Sequence, residues 1–143
     1  MFVSEVLRDK GDLVFTASPT ETVGAVAAML NSRRVGALVV TEGERDVVGI
    51  VSERDIVRVV AERGGEGLSR PVSEFMTREV FYADPSETVD TVLARMTDRR
   101  IRHWPVCHDG RLVGIVSIGD LVKSKIAETT AEAEGLRAYI HAA

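Results

Sequence analysis

The apolar positions of this chain change period repeatedly, and they do so in the same order twice. Residues 3–9 (Val-Ser-Glu-Val-Leu-Arg-Asp) are amphipathic and predict a short helical turn; residues 72–78 (Val-Ser-Glu-Phe-Met-Thr-Arg) repeat them. Val14–Val23 reads as a short strand, a proline-marked turn at Ser18-Pro19 and a helix start. Val80–Val89 does the same around Asp84-Pro85, 66 residues later. Val23, Val26, Ala27 and Leu30 share a helical face, as do Val89, Val92, Leu93 and Met96. These helices end at Ser32-Arg33-Arg34 and Asp98-Arg99-Arg100. Two strands follow in each half, Ala37–Thr41 with Val47–Val51 and Trp104–Cys107 with Leu112–Val116. Each pair is joined by a polar turn, Glu42–Asp46 or His108–Arg111, and the second turn is one residue shorter, so the offset falls to 65.

The predicted order is β-α-β-β-α, twice, with flanking N- and C-terminal helices: an α/β (α+β) fold made of two repeats. The first unit spans 1–64 with its N-terminal turn, a glycine-rich linker 65–71, the second unit 72–130 and a helical tail 131–143. A helix break is expected near Glu134-Gly135. In the tail, Leu136, Tyr139 and Ile140 are apolar at helical spacing and call for a surface on this chain or a second copy.

The most informative repeated stretch is Val48-Gly49-Ile50-Val51-Ser52-Glu53-Arg54-Asp55, which returns as Val113-Gly114-Ile115-Val116-Ser117-Ile118-Gly119-Asp120. In each copy Ser and Asp stand where a buried strand becomes a helix. The first N–H groups of that helix lack internal partners and its dipole is positive, which suits a phosphate; the Asp can accept hydrogen bonds from a ribose diol. Ser-x-x-Asp is also a capping box, and the two roles are compatible.

Composition narrows the function. Hydrophobic residues make up 45% of the 143 positions and the net charge is −4, which fits a globular core and disfavours sequence-independent nucleic-acid binding. No apolar run approaches the roughly 20 residues that span a bilayer, and no signal peptide opens the chain, so a cytoplasmic location without membrane contact is expected. Arg99, Arg100, Arg102, His103 and Arg111 cluster in the second half. Arg99 and Arg100 match Arg33-Arg34 and read as helix-end cations; Arg102 and His103 read as phosphate contacts. Cys107, His108 and His103 have no second ligand cluster, so no metal is expected, and Cys107 reads as a small hydrophobe. No nucleophile with a matched base, Walker loop or dinucleotide fingerprint is present, so no catalytic residue is assigned and no enzyme is expected.

The Ser18-Pro19 and Asp84-Pro85 openings, Met76-Thr77, Arg100–Val106 and the doubled Gly-Ile-Val-Ser-x-x-Asp together resemble a tandem pair of cystathionine-β-synthase (CBS) domains, a Bateman module, of the small stand-alone bacterial kind. The resemblance implies two units packed through their sheets, a homodimer, and clefts for adenosine-containing ligands: AMP, ADP, ATP, S-adenosylmethionine or NAD(H). It implies that Asp55 and Asp120 hold ribose and that Ser52 and Ser117 bond phosphate or ribose. Thr16-Ala17 and Tyr82-Ala83 would offer backbone to adenine, and Gly36-Ala37 and Ile101-Arg102-His103 would line base and phosphate. Arg54, where the second copy has Gly119, and the contrast of Gly36-Ala37 with Arg102-His103 imply unequal clefts. The expected function is non-catalytic nucleotide sensing with an unknown regulated partner; the alternative is an interaction protein with vestigial clefts.

Overall fold

The structure is a computed structural model that describes residues 1–11, 14–43 and 46–142. Its elements are α1 (Val3–Lys10), β1 (Thr16–Ala17), α2 (Val23–Arg33), β2 (Ala37–Glu42), β3 (Asp46–Ser52), α3 (Glu53–Arg63), α4 (Val89–Arg99), β4 (His103–His108), β5 (Arg111–Ser117) and α5 (Ile118–Ala142). Thr22 and Thr88 cap α2 and α4, each accepting a hydrogen bond from the backbone N–H three residues on. Both helices end on an arginine in the left-handed region, Arg34 at φ 54° and Arg100 at φ 56°. The arginine doublets thus begin as paired helix stops.

In the first unit β1 runs parallel to β2, and β2 pairs antiparallel with β3. In the second unit only β4 and β5 form a ladder. The strand expected at 80–83 shrinks to one bridge, Ala83 to Val106, and the neighbouring carbonyl of Tyr82 accepts from Arg95 instead of a ladder N–H. Asp109 and Gly110, at φ 50° and 75°, make the tight β4–β5 turn. The matching first-half turn includes Glu44 and Arg45, which lie outside the described residues, as does Ala143 of the tail.

Packing crosses the linear repeat. Val3, Val6 and Leu7 of α1 are buried with Val92, Met96, Trp104, Val106 and Leu121, in the core of the second unit. Conversely, Val72 and Met76 are buried with Val26, Leu30, Leu38 and Val51 in the core of the first. The backbone seals both exchanges: Val3 N–H donates to the Glu87 carbonyl and Val72 N–H to the Glu21 carbonyl. The counterpart of α1 is not an α-helix but a single 3-10 turn, Val72–Glu74, started by Pro71. The linker is ordered too, as a 3-10 segment Gly64–Ser69 in which Gly67 lies against Val59.

α5 continues straight through Glu134-Gly135 rather than breaking there. A glycine costs a helix only about 1 kcal/mol relative to alanine, and Ala, Glu, Leu and Arg around it favour the helix. Residues 131–142 are exposed throughout, with Tyr139 at 76%, so the tail finds no cover on its own chain.

Candidate functional site

The repeated Ser-x-x-Asp folds the same way twice. Ser52 N–H and Oγ donate to Asp55 Oδ2 at 2.8 and 3.1 Å, and Asp55 N–H donates back to Ser52 Oγ at 3.3 Å. Ser117 N–H donates to Asp120 Oδ2 at 2.9 Å, and Asp120 N–H returns to Ser117 Oγ at 3.1 Å. Both are reciprocal caps, which orient each carboxylate at a helix N-terminus.

Their surroundings differ. Asp55 is buried, and Arg58 donates to its Oδ1 at 2.7 Å from a half-exposed side chain. It lines a cavity of about 330 Å³ between the units. Ser52, Asp55, Arg54 and Gly36 come from the first unit, and Ile101, Arg102 and His103 from the second. The basic residues of the second half therefore share a cavity with the Ser-x-x-Asp of the first. Glu53, Glu79 and Arg100 add charges of both signs, and Ile50, Val80 and Phe81 add apolar wall.

The remaining expected residues lie elsewhere. Thr16 and Ala17 line a separate depression with Ser18, Thr20 and Thr41. Ala37 is buried in β2, Ala83 is buried against β4, and Tyr82 is exposed. Ser117 and Asp120 stand beside α1, where Lys10 Nζ donates to Asp120 Oδ2 at 2.7 Å. Burial works to raise the Asp120 carboxyl, but the Lys10 bond and the Ser117 N–H outweigh it and hold the group below the usual carboxylate range.

Sequence reasoning missed Arg100. The doublets split their work: Arg99 lies over the Phe81 ring at 4.6 Å, as Arg33 lies over Phe15 at 4.7 Å, while Arg100 turns into the cavity wall. The sequence carried no signal for this, because Arg34 ends its helix with the same left-handed φ and does not line the cavity. Trp104 is core: 1% exposed, stacked on Phe81 at 5.7 Å and capped by Arg95 at 4.5 Å. Cys107 is half-buried with its thiol pushed up by burial. Among the described residues no three His, Cys, Asp or Glu side chains converge as metal ligands, and no helix is long and apolar enough to cross a membrane.

His103 stands close against Gly36 of the other unit. A Cβ on Gly36 would sit 2.7 Å from His103 Nε2, so a larger residue there would have to displace the imidazole of the other unit. Burial pushes the imidazole below its ordinary value of 6.5; Glu53 and Asp120 pull it up, while Lys10 and Arg102 push it down. With the folded value below the unfolded one, the unfolded chain takes up the proton first. Stability contributed by neutral His103 is complete above about 6.5 and is lost as pH falls through the folded value. Urea midpoints at pH 7.5 and 5.5 should therefore fall further for wild type than for His103→Gln; equal falls would refute the burial effect.

Residues 3–62 and 72–126 match the CBS domain. The chain is 35% identical to the mitochondrial CBS domain-containing protein CBSX3 of Arabidopsis thaliana, over 96% of this chain and 71% of that one. It is 31% identical to the CBS domain-containing protein YhcV of Bacillus subtilis, over 82% and 83%. The crystal structure of the CBS-domain containing protein ATU1752 from Agrobacterium tumefaciens superposes with TM-score 0.85 at 42% identity, covering 87% of this chain and 99% of that one. The CBS domain pair of protein MJ0100, in complex with 5′-methylthioadenosine and S-adenosyl-L-methionine, superposes with TM-score 0.80 at 26% identity, covering 90% and 98%. Two matched domains, the doubled Ser-x-x-Asp junctions and the exchanged cores place this chain in the CBS-domain family.

Proposed function

We propose that this chain is a non-catalytic regulatory module that takes one adenosine-containing ligand of the AMP, ADP, ATP or NAD(H) class in the cavity between its units. The observation that carries the reading is the convergence of Asp55 and Ser52 from one unit with Arg100, Arg102 and His103 from the other. Asp55 accepts the ribose hydroxyls, its Arg58 partner being free to turn outward. Ile50, Val80, Phe81 and Ile101 cover the base, and the cations meet the phosphates. The ligand bridges both units, so binding shifts their relative arrangement, which a regulated protein or a second copy of the chain reads.

A thermal-shift panel of AMP, ATP, NAD, NADH and S-adenosylmethionine identifies the ligand, and calorimetry assigns the residues. Asp55→Ala should weaken AMP at least roughly tenfold, one lost charge-assisted bond being worth about 1.5–3 kcal/mol. It should also cost about 0.5–2 kcal/mol of stability through the lost cap. Arg102→Ala should weaken ATP by a similar factor and leave adenosine unchanged. Equal losses for both ligands would show a packing defect instead. A second reading, an interaction protein with vestigial clefts, is favoured by the exposed Leu136, Tyr139 and Ile140 of α5, and a panel without any shift would select it.

A further inference from the structure

We infer that Lys10 is an internal occupant of the second Ser-x-x-Asp site, and that its contact there limits this chain to a single adenosine ligand. The repeat supplies the comparison. Asp120 corresponds to Asp55, Ile115 to Ile50, Leu7 to Met76 and Lys10 to Glu79. In the first unit the Ile50 carbonyl accepts from the backbone of Thr77 at 2.9 Å, and Met76 points into the core beside Gly49. In the second unit Leu7 lies beside Gly114 as Met76 lies beside Gly49, and the ammonium of Lys10 meets the matching carbonyl, that of Ile115. It donates to the Ile115 carbonyl at 2.7 Å and to Asp120 Oδ2 at 2.7 Å, the oxygen that also accepts from Ser117 N–H. The diol-binding edge of Asp120 is thus already bonded to the chain's own cation.

The two carboxylates differ in how firmly their cation is held. Arg58 reaches Asp55 from its own helix and is 52% exposed on its side chain. Lys10 ends a helix whose Val3, Val6 and Leu7 are locked in the second core, and whose far end places the Met1 amine 3.4 Å from Glu128 of α5. Gly114 holds the same arrangement tight, because a Cβ there would come within 2.6 Å of Leu7 Cδ2. A ligand entering beside Asp120 must break a bidentate contact of an anchored ammonium. It would also find Gly36 and Ala37 where the occupied cleft has Arg102 and His103.

The inference rests on the proposed adenosine binding for its probe and is separable from it. Equilibrium dialysis with adenosine, which lacks the phosphate, compares wild type with Lys10→Met, a neutral side chain of similar length, and Lys10→Gln, with circular dichroism reporting the fold. Wild type should take one equivalent per chain and Lys10→Met two. Lys10→Met/Asp55→Ala should return to one, abolished by adding Asp120→Ala. If wild type takes none and Lys10→Met takes one, the reading of the first cleft falls and the lysine occupant stands. Two equivalents in wild type, or no gain in both folded Lys10 variants, overturns the occupant whatever the first cleft binds.

Discussion

A chain shortened by residues 1–10 is expected to lose the second unit, not the first. By linear order α1 belongs with residues 14–63, but Val3, Val6 and Leu7 are buried around Trp104 and Leu121. Burying one such side chain is worth about 1.5–3 kcal/mol, so three approach the roughly 5–15 kcal/mol that holds a whole domain together. The chain carries its own reporter, because its single tryptophan sits in that core. The truncated protein should show red-shifted, quencher-accessible Trp104 emission at temperatures where β2 and β3 amides still resist hydrogen exchange. Unchanged emission, or loss of first-unit protection ahead of second, would refute the exchange of core elements.

Trp104→Ala should be the most damaging single substitution in the second unit, at about 3–5 kcal/mol. The indole fills the space between Phe81 and the Arg95 guanidinium. The indole N–H, however, is buried without a partner among the described residues. A buried unpaired donor costs about 1–3 kcal/mol, and phenylalanine discards it while keeping a ring for Phe81 and Arg95. Trp104→Phe should therefore lose well under half of what Trp104→Ala loses in urea denaturation. Comparable losses would mean that the N–H has a bridging partner and that indole size alone decides the packing.

The repeat, the element order and the strand-to-helix placement of Ser52-Asp55 and Ser117-Asp120 were legible because each depends on short-range spacing. What the chain conceals is partnership. The apolar spacing of Val3, Val6 and Leu7 says that a face is buried but not beneath which sheet. Arg102 and His103 stood out as candidates, yet the cavity they line carries the Ser52 and Asp55 of the other unit. Arg100 looked like Arg34, since identical helix stops give no hint that only one borders a cleft. Lys10 carried no pattern at all; its meaning lies in a contact with Asp120 that closes across nearly the whole chain. The tail misled in the opposite direction, because one glycine weakens a helix without ending it.

The exchange of α1 also imposes a timetable on synthesis. The first core is complete once Val72 and Met76 have been made, so that unit can close while the chain is still growing. The second cannot close before Leu121 appears, although three of its core side chains, on α1, are made well before it. At about 5–20 residues per second, α1 waits roughly 5–20 seconds with its apolar face uncovered. During that interval the short amphipathic α1 is a natural client for a chaperone. A substitution that lowers its apolarity would speed escape from such help while weakening the finished protein.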